Sequence, residues 1–330
     1  MPMKYIIGLD IGGTKIAAAI ADSKGNILKS INTPTQAKKG GDFVTDKINS
    51  IINELLKESG VEAKELKNIA LGIPGQINKA KGIIINAPNI KGWKDYHLQA
   101  KIEKKFPKVP VIMDNDANCA AMGEVYFGSK KGLKDIVFLT VSTGVGGGIV
   151  INKKLYSGKN TIAGEIGHMS LNIIDNKDYK CNCGRYGCFE AYASGVSMAK
   201  RARKKLQKID VLKDDYGKKT LELAESNLNE ITSIVISEAA KQGDEFAKDI
   251  IKENAYYIGI GCVNLINILD PEAIIIGGGV SKIGDLLFDE IKETINKHVS
   301  MIKNVKTEII PATLGTDAGL LGAVAVGLSE

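Results

Sequence analysis

The chain opens with two apolar runs, Lys4 to Leu9 and Ile16 to Ala21, separated by Asp10-Ile-Gly-Gly-Thr-Lys15. Short apolar runs joined by a glycine pair predict a β-hairpin. A third strand is expected near Ile27 to Thr33. A helix is expected over Asp42 to Ser59, where Phe43, Ile48, Ile51, Ile52, Leu55 and Leu56 recur at helical spacing and Gly60 supplies the stop. Buried strands follow at Asn68 to Ile73, which ends in Pro74-Gly75, at Ile83 to Ile85, and at Val109 to Met113. The last of these delivers Asp114-Asn-Asp-Ala-Asn118 into an Ala-rich helix that runs to Phe127.

From Asp135 the opening pattern returns as Ile136 to Val141, a turn Ser142-Thr-Gly-Val-Gly-Gly-Gly148, and Ile149 to Ile151. Two strand, Gly/Thr turn, strand units indicate a duplicated βββαβ fold. Helices are then expected at Ser194 to Leu206, Ile231 to Lys241 and Phe246 to Leu269, the last apolar enough to cross the core. A strand at Glu272 to Ile276 leads into a Gly277-Gly-Gly-Val280 bend. Lys306 to Ile310 makes a final strand, and a helix from Asp317 to Val326 ends the pattern.

With 330 residues there is room for two ordinary domains, and 44% apolar with 25% charged residues is the composition of a soluble globular protein. Apolar runs such as Ile6 to Leu9 fall far short of the roughly 20 residues of a membrane span. No signal segment is visible, so no membrane partner and a cytoplasmic, thiol-reducing setting are expected. The net charge of +6 and the run Lys200 to Lys208 raise a nucleic-acid reading. Against it, Ala199, Ala202 and Leu206 form a buried stripe under a solvated face, and no aromatic interleaves the run, so no nucleic-acid partner is expected.

Chemistry concentrates between Gly164 and Glu190, where His168, Cys181, Cys183 and Cys188 offer the donors of a tetrahedral Cys₃His zinc site. A disulfide pair with a free thiol is the alternative. Glu165 and Glu190 flank the stretch, and a closed metal site would fix both side chains. At the N-terminal turn, Gly12 and Gly13 bare the backbone, Thr14 adds a hydroxyl and Lys15 a cation, so a phosphate can approach closely. Asp10 beside it is suited to Mg²⁺. Asp116, at a strand's carboxyl end and a helix's positive end, is placed as a base or substrate ligand. Neither Gly-rich turn has the P-loop spacing.

Glu-x-Gly-His followed by Cys-x-Cys-Gly-x-x-Gly-Cys-x-Glu resembles the signature of the ROK family of sugar kinases and sugar-responsive repressors, and Asp-x-Gly-Gly-Thr resembles the first phosphate motif of the actin-like superfamily. The resemblance covers essentially the whole chain. It implies an α/β, actin-like (ribonuclease-H-like) two-lobe fold with a zinc-binding insertion. The smaller lobe would be residues 1–117 joined by the C-terminal helix at 311–330, the larger 118–310. It implies a cleft for ATP and sugar, Mg²⁺, a structural Zn²⁺ and a homodimer. Asp116 would be the base; Gly75, Asn89, Asn115, Glu165, His168 and Glu190 would bind sugar. Asp10, Gly12, Gly13, Thr14, Lys15, Thr143 and Gly144 would hold phosphate and Mg²⁺, and Gly277, Gly278 and Gly279 the adenosine. Only Met1 to Met3 precede the first strand, which favours a kinase over a repressor with a helix-turn-helix domain. Pro74-Gly75 and Ala87-Pro-Asn-Ile-Lys-Gly-Trp93 are similar to segments of the family's glucokinases, so D-glucose is expected ahead of N-acetylmannosamine.

Overall fold

The computed structural model describes residues 4–130, 132–172, 179–208, 215–299 and 306–330. The segment ahead of the first strand (1–3) and the middle of the spacer between His168 and Cys181 (173–178) lie outside them. The chain forms two compact units, Met1–Asp135 with Gly148–Gly164 and Thr313–Glu330, and Ile136–Gly147 with Glu165–Ala312. The division expected at 117/118 would cut one continuous helix, Asp116–Phe127.

In the first unit the expected hairpin forms from β1 (Tyr5–Ile11) and β2 (Lys15–Asp22), with β3 (Ile27–Pro34) beside it. Helix α1 (Gly41–Ser59) buries Val44, Ile48, Ile51, Ile52 and Leu55, and Gly60 ends it in the left-handed conformation at φ 71°. Phe43 departs from the expected stripe. It is exposed, with the Lys39 ammonium 4.6 Å above its ring. Strand β4 (Leu66–Ile73) pairs parallel with β1. A three-stranded sheet of β5 (Gln76–Asn78), β6 (Ile83–Asn86) and β7 (Lys94–Tyr96) precedes α2 (Leu98–Lys105). Then come β8 (Val111–Asn115) and α3 (Asp116–Phe127), and the main sheet has the order β3-β2-β1-β4-β8.

The second sheet has the order β11-β10-β9-β12-β13, built from β9 (Ile136–Val141), β10 (Val145–Ile151), β11 (Lys154–Leu155), β12 (Ala273–Gly277) and β13 (Glu308–Pro311). Its β9, β12 and β13 run parallel, as β1, β4 and β8 do, which is the expected duplication. The turn is shorter than expected, because Gly146, Gly147 and Gly148 lie inside β10. Close packing explains two of them: a Cβ on Gly147 would fall 2.5 Å from Ile166 Cδ1, and one on Gly148 2.8 Å from Ala121 Cβ.

The described helices of the second unit are α4 (Phe189–Ala193), α5 (Gly195–Leu206), α6 (Lys218–Leu223), α7 (Ser233–Lys241), α8 (Glu245–Leu269) and α9 (Asp285–His298). Ala199, Ala202 and Leu206 are buried on α5, as the sequence predicts. Helix α8 buries Ile258, Cys262, Leu265 and Ile266, but its last turn leaves the core, with Ile268 72% exposed. Among the described residues no helix is long and apolar enough to cross a membrane.

The chain ends in α10 (Ala318–Ser329), which packs across α3 through small residues. A Cβ added at Gly322 would stand 2.1 Å from Cys119 O. Neither backbone can yield without moving a helix, so Gly322→Ala is expected to cost about 1–3 kcal/mol by overpacking. Thermal or urea unfolding checks this, and a native midpoint would show that the two helices are not so closely apposed.

Candidate active site

The candidate residues form two sets, one in each unit. In the first, the turn between β1 and β2 is held by Gly12 N–H donating to Lys15 O (2.9 Å), Thr35 Oγ1 donating to Gly12 O (2.6 Å) and Thr35 N–H donating to Thr14 O (2.8 Å). Thr35 is wholly buried, and no pattern in the sequence marks it as a support of the turn. Thr14 and Lys15 are exposed, and a Cβ on Gly13 would lie 3.0 Å from Asn89 Cβ, so the glycine turn abuts the Asn89 loop. That loop is pinned by buried Ala87, Ile90 and Trp93, which leaves Asn89 outward. Trp93 is therefore a core anchor. Gly75 has φ 100°, and a Cβ there would meet Asn86 O at 2.3 Å, so only glycine fits.

Asp10, at the end of β1, lies against the first turn of α10, where a Cβ on Gly319 would fall 2.3 Å from Asp10 Oδ2. Its pKa is raised to about 6, first by burial and then by the Asp116 carboxylate, against the lowering pull of Lys15. The fold thus prefers the protonated form. Stability associated with it is present below pH 3.8 and is lost as pH rises through about 6. Asp10→Asn should therefore stabilise the protein without added metal by up to about 3 kcal/mol at pH 7 and by nothing near pH 3.5. Denaturant unfolding at both pH values checks this; equal gains at both would contradict it.

The Asp114 to Asn118 cluster divides its labour. Asn115 Oδ1 caps α3, accepting from Ala117 N–H (2.8 Å) and Asn118 N–H (3.1 Å). Asp114 is buried, ion-paired with Lys79, and accepts from Asn118 Nδ2 (2.7 Å). Asn115, Asp114 and Asn118 thus build the junction, and Asp116 is the exposed carboxylate in the helix's first turn. Its Oδ1 accepts from Ala117 N–H at 2.8 Å.

In the second unit, His168 Nδ1 lies 3.7 Å from Cys181 Sγ and Cys183 Sγ lies 3.6 Å from Cys188 Sγ, and the four donor atoms all lie within 4.8 Å of one another. Donors on a tetrahedral zinc stand about 3.6–3.8 Å apart, so the set fits that ion. Without metal, burial holds Cys181 and Cys188 as thiols, while the Arg185 backbone N–H pulls Cys183 towards thiolate. Gly187 makes the curl possible: at φ 78° its Cα faces Asn172 O, which a Cβ would meet at 1.7 Å.

The other His168 nitrogen, Nε2, faces Glu165 Oε2 at 3.9 Å, and Glu165 is exposed. Glu190, in the first turn of α4, spans two structures: Oε1 accepts from Cys181 Sγ at 3.5 Å, and Oε2 accepts from Val145 N–H at 3.0 Å. Val145 directly follows the turn that carries Thr143 and Gly144, and a Cβ on Gly144 would stand 2.5 Å from Glu190 Oε2.

A cavity of about 700 Å³ opens beside that turn. Ser142, Thr143 and Gly279 line it together with Val196 and Arg203 of α5 and Ile234 of α7. Of the three glycines expected to face adenosine, Gly279 lines the cavity. Gly277 is buried in β12 against Phe138, and Gly278 sits at φ 89° over Val141 O, which a Cβ would meet at 2.4 Å. The α5 and α7 wall was not anticipated, since its residues alternate as in any amphipathic helix.

The sequence profile of the ROK family matches residues 6–329. The chain belongs to the ROK family. A glucokinase of Halalkalibacterium halodurans is 38% identical to this ROK protein over 324 residues, 98% of this chain and 94% of the relative. A xylose repressor of Caldicellulosiruptor bescii is 33% identical over 327 residues, 98% of this chain and 78% of the repressor. The crystal structure of a ROK family glucokinase from Streptomyces griseus in complex with glucose and AMPPNP has 34% identity and a TM-score of 0.73, covering 97% of this chain and 98% of that one. The ROK fold, an actin-like α/β ATPase fold, is the one the resemblance implies, and the duplicated strands agree with it.

Proposed function

We propose that this protein is an ATP-dependent hexose kinase whose preferred substrate is D-glucose, phosphorylated at O6. One observation carries the nucleotide half of the reading. The 700 Å³ cavity joins the Ser142–Thr143 turn to the Gly279 bend within one unit, giving a phosphate cradle and a wall for a planar base in a single space. The likeness to the glucose- and AMPPNP-bound Streptomyces griseus enzyme supports the substrate pair.

In this reading Asp116 accepts the proton of the attacking hydroxyl. Gly75, Asn89, Asn115, Glu165, His168 and Glu190 orient the sugar, and Asn115 does so through its amide nitrogen, because its oxygen caps α3. Gly12, Gly13, Thr14, Lys15, Thr143 and Gly144 hold phosphate oxygens, and Gly279 backs the adenosine. Asp10 would hold Mg²⁺. Magnesium would supply neutralisation of the phosphate charge, and the remaining catalysis is positioning. His168, Cys181, Cys183 and Cys188 would hold a structural zinc, which would stiffen the carboxylates proposed to contact the sugar. A homodimer completes the proposal.

A sugar-responsive repressor is the second reading, favoured by the likeness to the xylose repressor. A coupled assay with MgATP across a panel of hexoses tests both. Turnover with the highest kcat/KM on glucose is expected. A higher value on N-acetylmannosamine or another sugar overturns the substrate, and sugar binding without turnover overturns the kinase.

A further inference from the structure

Arg185 is exposed, and an exposed arginine in a glycine-rich loop is ordinarily a solvated side chain. Here it touches all four residues of the Cys/His cluster. Its carbonyl accepts from Cys181 N–H at 2.8 Å, and its own N–H donates to the Cys183 sulfur. Its guanidinium donates to the sulfurs of Cys183 and Cys188, and Nη2 donates to His168 O at 2.8 Å.

Gly184 makes this arrangement possible. At φ 91° it turns the chain after Cys183, its N–H returns to Cys181 O at 3.0 Å, and no atom crowds the place of a Cβ. Arg185 is thereby delivered back over the sulfurs. Its guanidinium also reaches a residue 17 positions earlier in the chain, so it joins the loop of the three cysteines to the tight turn Ile166–His168. Three thiolates and a neutral imidazole around Zn²⁺ would leave one net negative charge. A cation hydrogen-bonded to two of the sulfurs offsets that charge and fixes their orientation.

We propose that Arg185 is a positioning residue that clamps the zinc site, holding the Cys183 and Cys188 sulfurs and the His168 backbone in register so that the metal is retained. This role presupposes that the cluster binds zinc, as proposed above, and nothing about the substrate. The planar fork suits it, because several N–H groups in one fixed geometry serve the sulfurs and the carbonyl together. A lysine ammonium brings the charge as a flexible point and cannot span them in the same way.

Zinc content and chelator competition on the full chain, compared among the native protein, Arg185→Ala and Arg185→Lys, test the clamp. One zinc per chain is expected in all three at saturating metal. Apparent zinc affinity should fall by about 10–100-fold in Arg185→Ala, and Arg185→Lys should recover less than half of that loss on a logarithmic scale. Both variants keep the backbone bonds of the loop and change an exposed side chain, so both should fold. Cobalt in place of zinc gives a second readout: the sulfur-to-cobalt charge-transfer band should shift in Arg185→Ala, because the sulfurs lose donors. Thermal unfolding with zinc and after chelation separates a clamp from a plain strut. The Arg185→Ala midpoint should fall in the zinc-loaded protein and hold in the stripped one; an equal fall in both overturns the clamp. Unchanged affinity in Arg185→Ala also overturns it, and full recovery in Arg185→Lys leaves a bare charge effect and overturns the fork. A native chain that takes up no zinc refutes the zinc reading itself, before any variant is made, so the two failures are separate results.

Discussion

Asp116→Asn is expected to lower kcat by at least about 10², the lower end of what losing a general base costs, while sugar affinity stays within a few fold. The prediction is sharp because of how the junction is built. Asn115 caps α3 and Asp114 is tied to Lys79 and Asn118, so the helix start does not depend on Asp116. An amide at position 116 keeps the size and can still accept from Ala117 N–H through its oxygen, as Asp116 Oδ1 does now. What disappears is the basic oxygen and one negative charge. Removing that charge also relieves Asp10, whose pKa it raises, so Asp10 should not lose its ionised form in the variant. Steady-state kinetics with glucose and MgATP, beside equilibrium glucose binding, separate the two effects. A near-native kcat would mean that the proton is taken by another group or by water; a large loss of glucose affinity with kcat preserved would make Asp116 a sugar ligand and not the base.

The hairpin with Asp10 to Lys15 and its echo at Ser142 were legible because glycine pairs between apolar runs leave the backbone few alternatives. The Cys/His cluster was legible for a similar reason, since three thiols and an imidazole in a glycine-punctuated stretch can be curled towards one point. Other features depend on tertiary partners. Gly146 to Gly148 read as turn residues by propensity, yet they extend β10, where Ile166 presses on the bare Cα of Gly147 and α3 on that of Gly148. Helix α9 (Asp285–His298) was not anticipated, although Leu287, Phe288, Ile291 and Ile295 form a buried stripe at helical spacing, because the run follows a glycine bend and carries many charges. The Asp114 to Asn118 cluster shows the limit most clearly. Four polar residues at a strand end announce a site, but only hydrogen-bond partners reveal that Asp114 and Asn118 are structural and that Asn115 spends its oxygen on the helix cap.

Zinc removal should reach further than the sugar, and Glu190 is the reason. From sequence, Cys183→Ser is expected to lose metal and raise the sugar KM with ATP binding less affected. The structure adds a strut: Glu190 touches the Cys181 sulfur with one oxygen and the Val145 N–H with the other, so one carboxylate registers the Cys/His cluster against the Thr143–Gly144 turn. Loosening the cluster lets that carboxylate swing. Cys183→Ser is accordingly expected to lose stoichiometric zinc, raise the glucose KM and lower kcat together, with kcat/KM falling by about 10–100-fold, the usual cost of disturbing groups around a metal. Affinity for an ATP analogue should change only a few fold, because the walls of the 700 Å³ cavity proposed for it come from α5, α7 and Gly279, not from the Cys/His cluster. The control is Glu190→Gln, which keeps the four donors and so should keep zinc, yet weakens the carboxylate's hold on Val145 N–H and reproduces the loss in kcat. Elemental analysis of both variants with glucose and ATP kinetics decides it: fully active, well-folded enzyme without zinc refutes the structural role of the metal, and a Glu190→Gln enzyme with native kcat refutes the strut.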